Sequence, residues 1–316
     1  MAVTTPASIA SSFAPEAVRR RLTQGKRDVA GVTFRTALQI ALAIALVILG
    51  VLLVDVWADG SSVLLERFSG FMSGTLQSRP ELAGIAQGLR GSFWIGVFVV
   101  VLAFPLGVGA ALYLEEYAAR SRLTRIIDIN IRNLAGVPSV VYGILGFTIF
   151  VKSLGGVTGG RTVIAAGITL AILVLPVVII TSAEAIRAVP QGLREAGFGI
   201  GATRWEVTRD HVIPYAAPGI LTGTVLSLAR ALGEAAPLIL VGAVTGRLGD
   251  NPSLLDIGAL DSRFTAMPNV ITSWAGQPDP EFRQNTAAAI IVLMAVVLIA
   301  NSAAILLRNH FEKKRG

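Results

Sequence analysis

Long apolar runs, each close to twenty residues, are separated by short polar segments along most of the chain. Because a helix of about 20 apolar residues crosses the hydrocarbon core of a bilayer, each run predicts a membrane-spanning helix. Apolar and polar residues do not alternate with the period of two that is typical of membrane barrel strands. The predicted fold is an all-α integral membrane protein with six transmembrane helices, over residues 36–54, 91–114, 133–151, 162–183, 218–245 and 285–307.

The predicted membrane domain, residues 36–308, lies between two polar tails, 1–35 and 309–316. The first tail lacks the apolar centre of a signal peptide at its terminus, so the first span is expected to remain uncleaved. Lysine and arginine are concentrated in both tails and in the loops after the second and fourth spans. By the positive-inside rule, both termini are expected in the cytoplasm.

The composition agrees with a membrane protein and narrows its chemistry. Of 316 residues, 53% are hydrophobic and 15% charged, whereas a soluble domain carries about 25% charge. The chain has no cysteine and two histidines, His211 and His310, which excludes thiolate sites and leaves little for a histidine metal site. We therefore predict no catalytic residue, no metal and no cofactor. The net charge of +7 follows the loop pattern, so it indicates topology rather than a nucleic-acid-binding surface.

The fifth predicted span is interrupted by charge. Within "LSLARALGEAAPLIL", Arg230 and Glu234 stand one helical turn apart and share a face. Arg230 lies roughly 16–17 Å along a helix from Gly219, near the bilayer midplane. Charges at this depth usually mark a substrate pathway; a buried ion pair that fixes helix packing is the alternative. Pro237 cannot donate to the carbonyl of Gly233, so a helix break is predicted here.

The charged pair suggests an anionic substrate. A guanidinium is planar, permanently charged and able to donate two parallel hydrogen bonds to a phosphate. Glu234 would orient Arg230 and partly neutralise it, so that the anion is held only transiently. Ser139 and Tyr142 in the third span would offer hydroxyls to the same anion, although such hydroxyls more often bond backbone carbonyls.

Prolines and glycines inside the spans predict local deviations of the helices. Pro105, Pro138 and Pro176 are expected to kink them. Several glycines of the second and third spans are expected at close helix contacts: Gly107, Gly109, Gly136, Gly143 and Gly146.

The loop between the fourth and fifth spans, residues 184–217, is too regular for a simple connector. Residues 193–198 predict a helix, and Gly199 and Gly201 supply a break after it. Two short helices joined at glycine are a plausible docking surface for another protein. An amphipathic segment that lies on the lipid surface is the alternative.

The second helix of this loop has its own start signal. Thr203 stands three residues before Glu206, which is a capping-box pattern. A short helix is expected from there toward Pro214. Trp205 and charges of both signs lie on it, so it contributes to the predicted docking surface.

This loop resembles the EAA loop of binding-protein-dependent ABC importer permeases. The triplet is Glu195, Ala196 and Gly197; Gly201 follows it by four residues and Pro214 follows Gly201 by thirteen. Gly197 replaces the second alanine of the family pattern, a change of one small residue for another. His211 stands where the family usually has an aliphatic residue.

The resemblance extends to "LAGVPSVVYGILG", "EAGFGIGATRWEV" and "PGILTGTVLSLARALGEAAPLIL", which are similar to the phosphate branch of these permeases, the PstA family. It implies the type I (MetI-like) importer architecture, a bacterial inner membrane and import of inorganic phosphate. It also implies a second permease of the PstC type, an ATPase dimer of the PstB type and an external phosphate-binding protein of the PstS type, besides membrane lipid. The residues implied to couple the chain to the ATPase are Glu195, Ala196, Gly197, Gly201, Thr203, Arg204, Trp205, Glu206 and Pro214.

Two other functions stay open. The pattern G-x-x-x-x-G-K-[ST] does not occur, so another chain would have to hydrolyse ATP. The first alternative is a permease of an ABC importer for a different oxyanion. The second is a self-sufficient secondary anion transporter, a function that would leave the EAA loop unexplained. An intramembrane enzyme would need a nucleophile and base or a metal at membrane depth, and these residues provide neither.

Overall fold

The computed structural model describes residues 29–119, 121–246, 248–249 and 253–313, and the regular secondary structure in these ranges is helical. A single helical turn, Gly155–Thr158, and a 3₁₀ helix, Ile257–Asp261, lie in two of the connections. The main helices are α1 Val29–Glu66, α2 Phe68–Ser73, α3 Ala86–Tyr117, α4 Arg122–Ala135, α5 Ser139–Ser153, α6 Val163–Arg187, α7 Gln191–Gly199, α8 Arg204–Gly233, α9 Ala236–Val241, α10 Met267–Ala275 and α11 Glu281–Lys313.

Within these ranges, five helices are long and apolar enough to cross a membrane: α1, α3, α6, α8 and α11. The bent pair of α4 and α5 provides a sixth crossing if it is counted as one span. The predicted all-α membrane fold is therefore confirmed. The first 28 residues of the predicted tail 1–35 lie outside the described residues, and the last seven already belong to α1. The predicted tail 309–316 is helical as far as Lys313, beyond which the chain is outside the described residues.

Residues up to Asp55 and residues from Val56 onward form two units. In the first, residues 29–55 are one apolar helix whose side chains are all exposed. A helix that is apolar on every side is stable in lipid or against another protein, not in water. This unit therefore has the character of a membrane span.

In the second unit, α6 is the central helix, with α3, α5 and α8 packed around it. Glycines allow this close approach, because a side chain at their positions would collide with α6. A methyl group built on Gly107 of α3 would lie 2.6 Å from Cγ1 of Val178, and one on Gly146 of α5 would overlap Thr169. Close packing is confirmed for these two glycines, and without their small size α6 would be held farther from its neighbours.

The other glycines differ. Gly143 is also a close-packing position, because a methyl group there would lie 2.7 Å from Cα of Pro237. The same expectation is wrong for Gly109, which no atom approaches within 4 Å, and for Gly136, which meets only the carbonyl oxygen of Asn133.

The predicted third span, 133–151, is wrong at its start. Residues 133–135 complete α4, and α5 begins at Ser139 with its axis bent by 98° from that of α4. Pro138 has no backbone N–H and disfavours the helical conformation in Val137. The expected kink is therefore a full change of direction.

Two wide π turns, Val99–Ala103 in α3 and Thr208–Val212 in α8, each end two residues before a proline. The prolines are Pro105 and Pro214. Since proline donates no hydrogen bond, the wider turn lets the preceding backbone pair differently and the helix continues. Pro105 therefore does not end its helix.

The predicted fifth span, 218–245, is wrong at both ends. α8 already begins at Arg204, so the second short helix expected to stop near Pro214 runs without interruption into the membrane span. α8 then ends at Gly233, and α9 ends at Val241. The residue after α9 is Gly242, whose φ of +112° is open to glycine but strained for other residues. The charged pair consequently lies at a helix end rather than in mid-helix.

Candidate functional site

Arg230 lies in the last turn of α8, and Glu234 is the first residue after that helix. Nε of Arg230 and Oε1 of Glu234 are 3.5 Å apart, and the two side chains are 49% and 20% exposed in this chain. The carbonyl end of a helix favours a cation, which helps to hold Arg230 at this depth. The guanidinium thus keeps an accessible edge while the carboxylate is more enclosed.

The helix break lies between the two residues predicted to cause it. Glu234 has an extended backbone with a ψ of 112°, and Pro237, in the first turn of α9, has no N–H for the carbonyl of Gly233. Nδ2 of Asn269 in α10 donates to the carbonyl oxygen of Ala235 at 3.4 Å. The break is therefore stabilised from a distant part of the chain.

Sequence reasoning missed Asn269. It lies in the predicted outer loop 246–284, where no local pattern connects it with the fifth span. Its side chain is fully buried, and its Oδ1 has no hydrogen-bond partner within the described ranges. A buried, half-satisfied amide beside a broken helix is a polar group at a depth where polar groups are costly.

The two hydroxyls predicted in the third span have different surroundings. Oη of Tyr142 donates to the carbonyl oxygen of Leu134 at 2.9 Å, across the bend between α4 and α5. Ser139 stands one turn before Gly143, on the face of α5 that packs on α9. Ser139 therefore lies toward the broken helix, whereas the Tyr142 hydroxyl is occupied by the bend.

The predicted coupling turn, which we define as α7 and the first turn of α8 (residues 191–207), has the local structure that its residues predict. α7 contains the predicted helix, and Gly201, with a φ of +84°, turns the chain into α8. Oγ1 of Thr203 accepts from the N–H of Glu206 at 3.3 Å, and Oε2 of Glu206 accepts from the N–H of Thr203 at 2.8 Å. The carboxylate of Glu206 accepts hydrogen bonds from the backbone N–H of Thr203 and from its hydroxyl. These two bonds stabilise the charged form and hold the pKa of Glu206 below its ordinary value, the backbone bond contributing more.

Gly197 explains the departure from the alanine of the EAA pattern. It is buried, and a methyl group on it would lie 2.7 Å from Cγ2 of Val207, so α7 packs closely on the first turns of α8. His211 is exposed in this chain. The remaining residues of the predicted coupling set are exposed as well: Glu195, Ala196, Gly201, Thr203, Arg204, Trp205, Glu206 and Pro214.

A family model described as binding-protein-dependent transport system inner membrane component matches residues 103–315. The chain belongs to this family. It is therefore an inner-membrane ABC importer permease, and its relatives are transport subunits rather than enzymes.

Three relatives show the degree of similarity. The permease is 35% identical over 234 residues to phosphate transport system permease protein PstA 1 of Mycobacterium tuberculosis H37Rv, covering 73% of this chain and 72% of that protein. It is 29% identical over 274 residues to PstC 2 of the same strain, covering 78% and 80%. It is 36% identical over 162 residues to the probable ABC transporter permease YqgI of Bacillus subtilis, a match that spans about half of each chain, 51% and 54%.

Solved structures share the fold of the permease. A chain of a bacterial alginate ABC transporter aligns with a TM-score of 0.61 and 15% identity over 93% of the permease and 98% of that chain. A chain of the MetNI methionine ABC transporter aligns with a TM-score of 0.55 and 19% identity over 72% and 94%. The architecture is thus that of MetI-like, type I importer permeases.

Two ion pairs hold the acidic end of α3: Arg194 attaches α7 to it, and Arg187 attaches the end of α6. Nη2 of Arg194 in α7 is 2.7 Å from Oε1 of Glu116 at the end of α3, and both side chains are buried, at 12% and 9% exposure. The same guanidinium donates to the carbonyl oxygens of Val189 and Ile186. Arg187 pairs with Glu115 beside it. Because breaking a buried, hydrogen-bonded pair is costly, α7 is held firmly against α3.

These acidic partners, Glu115 and Glu116, were missed at the sequence level. Their signal is an acidic doublet directly after an apolar span, a position where the neighbouring loops are basic. Only the tertiary structure shows that the doublet faces the arginines of the coupling segment.

The free side of the coupling turn exposes large apolar side chains. Ile200 is 83% exposed and Trp205 55%, with Phe198 close to half exposed. A cluster of this kind, surrounded by Glu195 and Arg204, has the composition of a protein interface.

Proposed function

We propose that this chain is the permease subunit of an ATP-driven importer of inorganic phosphate and forms half of its translocation pathway. The observation that carries the proposal is the Arg230–Glu234 pair, half exposed at the interruption of a helix long enough to cross a membrane. Intramembrane charges that face a cavity or partner usually belong to a substrate pathway. The names of the PstA and PstC relatives support phosphate as the substrate.

The pair accounts for both binding and release. The accessible edge of the Arg230 guanidinium donates two parallel hydrogen bonds to a passing phosphate. Glu234 holds the other side of that guanidinium and offsets part of its charge, so the anion is not trapped. Near neutral pH phosphate still carries a proton that a carboxylate can accept as a hydrogen bond, whereas sulfate carries none. Glu234 thereby favours phosphate.

Reversing the pair separates a pathway role from a packing role. In Arg230→Glu with Glu234→Arg, opposite charges still meet, but a carboxylate replaces the guanidinium at its present site. We expect phosphate uptake into proteoliposomes that hold the whole complex to be lost while the complex still assembles. Uptake close to the wild-type rate would show that the pair serves helix packing.

The control for this reversal is a second ion pair with the same spacing. Arg132 and Asp128 on α4 are 3.1 Å apart, and their side chains are 42% and 46% exposed. Asp128→Arg with Arg132→Asp changes the same charges away from the proposed pathway. We expect uptake by this variant to stay near that of the wild type.

We further propose that α7 and the first turn of α8 dock on an ATPase of the PstB type. Gly201→Val should abolish docking, because valine is strained at the positive φ of this position. Lack of space is not the reason, since no atom lies within 4 Å of a methyl group added there. Gly199→Val is the matched control, since Gly199 is equally open and has an ordinary φ. Equal ATPase recovery with both variants would contradict this assignment; recovery with Gly199→Val alone supports it.

Charge should matter at the same surface. Glu195 is exposed on α7, so Glu195→Lys changes the contact surface without disturbing the core. We expect ATPase association to be lost while membrane insertion is retained, because a reversed charge repels a complementary basic surface.

The remaining partners of the proposal are a second permease of the PstC type and an external binding protein of the PstS type. Affinity purification of the tagged chain from its native membrane should recover a second six-span protein and an ATPase. Recovery of the chain alone, together with phosphate uptake in liposomes that lack an ATPase, would favour a secondary transporter. If an excess of sulfate abolished phosphate uptake, that result would favour an importer of oxyanions in general over an importer of phosphate.

The proposed orientation places both termini and the coupling turn in the cytoplasm. Because the chain has no cysteine, a single introduced cysteine is its only thiol. Labelling of that thiol reports the side of the membrane on which the residue lies. Ser78→Cys and Leu255→Cys should react with a membrane-impermeant thiol reagent in intact cells, and Arg204→Cys only after permeabilisation. Reaction of Arg204→Cys in intact cells would reverse the orientation.

A further inference from the structure

A polar cavity of about 330 Å³ lies at the end of α9 that is farther from the Arg230–Glu234 pair. Two arginines, Arg161 and Arg263, line it together with the last residues of α9 and the backbone of residues 242–246. Arg161 lies two residues before the start of α6 at Val163, whereas α6 ends at Arg187, just before α7 of the coupling turn. The cavity is therefore at the end of the bundle opposite the coupling turn.

Neither arginine is neutralised within the part of the chain that the structure describes. No carboxylate there lies within ion-pair distance of Arg161 or Arg263. Asp261, two residues before Arg263, lies toward Gly159, where an added methyl group would come within 3.2 Å of its Oδ1. The cavity wall is thus positively charged.

Arg161 is held in place before any ligand arrives. Its aliphatic stem lies against Gly242, where an added methyl group would come within 2.6 Å of Cδ of Arg161. Its guanidinium carbon lies 5.7 Å from the centre of the Phe147 ring, a favourable cation–π distance. A preorganised guanidinium loses less entropy when it binds an anion.

The backbone adds further donors. The N–H groups of Gly242, Ala243 and Val244 are used in hydrogen bonds to carbonyl oxygens. Those of Thr245 and Gly246, in the same wall, donate to no residue in the described ranges. Two guanidiniums and two available N–H groups around one cavity are the donors that a tetrahedral oxyanion requires.

We propose that this cavity is an outer binding site for an oxyanion of the phosphate type, through which the substrate passes before it reaches Arg230. The proposal rests on the proposed function for the identity of the transported anion. α9 has six residues and is therefore about 9 Å long, so the two sites lie one short helix apart. Two weak sites in series allow an anion to enter without being held too firmly to leave.

A thiol probe tests this site without requiring transport. Thr245 is exposed in the cavity wall, and Thr245→Cys would be the sole cysteine of this subunit. In the purified complex, an anionic methanethiosulfonate should react faster than a cationic one of similar size, because the arginines attract it. Inorganic phosphate should slow that reaction.

The decisive variant removes the two guanidiniums. Thr245→Cys with Arg161→Gln and Arg263→Gln should lose the preference for the anionic reagent and weaken phosphate protection by about ten-fold or more. Arg79→Gln in the same Thr245→Cys background is the control. Arg79 is exposed in the loop before α3, at the same end of the helix bundle as the cavity. Unchanged protection in the double arginine variant, or no reaction of the cysteine with either reagent, would overturn the site.

A lipid headgroup presents the same phosphate chemistry, so the lipid is varied. The measurement is repeated in detergent, in phosphatidylcholine nanodiscs and in nanodiscs that contain phosphatidylglycerol. Protection by added phosphate in all three supports the proposal. Slow reaction in phosphatidylglycerol that added phosphate does not alter would assign the cavity to a lipid and overturn it. Protection without any phosphate uptake would leave this site standing and reject the transport function instead.

Discussion

Two helix interruptions in this permease are both associated with proline, and they are completed in different ways. Between α4 and α5, before Ser139, the chain turns by 98°, and the Tyr142 hydroxyl satisfies a carbonyl across the bend. Between α8 and α9 the break carries the ion pair of Arg230 and Glu234, of which the arginine is half exposed. It also carries a buried amide, Asn269, whose Oδ1 has no hydrogen-bond partner among the residues that the structure describes.

The difference indicates which interruption is structural and which is functional. At the bend a neutral hydroxyl of the same chain closes the gap, so no strong donor is left for a ligand. At the break the charges remain accessible although exposed charge at this depth costs free energy. A charged group that is retained in spite of its cost, beside an interrupted helix, is the site at which we propose that the anion passes.

The largest expected effect is that of Arg230→Gln. The amide keeps much of the side-chain volume but removes the charge-assisted hydrogen bonds, which are worth about 1.5–3 kcal/mol. Phosphate uptake by the reconstituted complex should fall about ten- to hundred-fold, while Arg132→Gln on α4 leaves it unchanged. An undiminished rate in Arg230→Gln would remove the functional distinction between the two interruptions.

Pro237→Ala should have the next largest effect. Alanine restores a donor for the carbonyl of Gly233 and favours continuation of α8 into α9 by a good part of the roughly 3 kcal/mol that proline costs in a helix. If about 1 kcal/mol of this disfavours the broken form, uptake falls by roughly five-fold. Pro138→Ala is the comparison, and its uptake should stay near normal because Tyr142 still closes the bend.

Glu234→Gln should reduce uptake less than either change, by a few-fold. The amide oxygen still accepts a hydrogen bond from Arg230, but it no longer offsets the charge. Competition with sulfate checks the second role of the carboxylate: the preference for phosphate should decline in the variant. A preference equal to that of the wild type would mean that Glu234 does not discriminate.

The smallest effect on uptake is expected for Tyr142→Phe. Loss of the hydroxyl removes one of the hydrogen bonds that the carbonyl oxygen of Leu134 accepts, while the bond from the N–H of Val137 remains. This should lower stability by about 1 kcal/mol, seen as a lower Tm of the purified complex. Tyr113→Phe is the control, because Tyr113 is 62% exposed. Lost uptake at an unchanged Tm would place the hydroxyl in the pathway after all.

Much of this molecule could be predicted from local pattern. Apolar run length predicts membrane helices because the bilayer thickness sets one length for all of them. The capping box of Thr203 and Glu206 and the turn at Gly201 depend only on neighbouring residues. The pairing of Arg230 with Glu234 likewise follows from residues one turn apart.

Other features depended on residues far apart in the chain. The start of α5 was misplaced because apolar composition does not distinguish a 98° bend from a straight span, and the bend is held by a contact across it. The ion pair between Arg194 and Glu116 joins α7 and α3, which are separated by α4, α5 and α6 along the chain, so no spacing rule links them.

The sequence by itself determined the apolar character of the membrane helices, the charged pair and the local structure of the coupling turn, since each is encoded by neighbours within a turn or two. Only the tertiary structure decided that α8 begins at Arg204 and runs unbroken into the membrane span, which acidic residues hold the coupling turn, and that Arg161 and Arg263 share one cavity. Those outcomes depend on which backbone groups remain unpaired and which distant side chains can reach them, and that is settled only when α3, α5, α8 and α10 pack together.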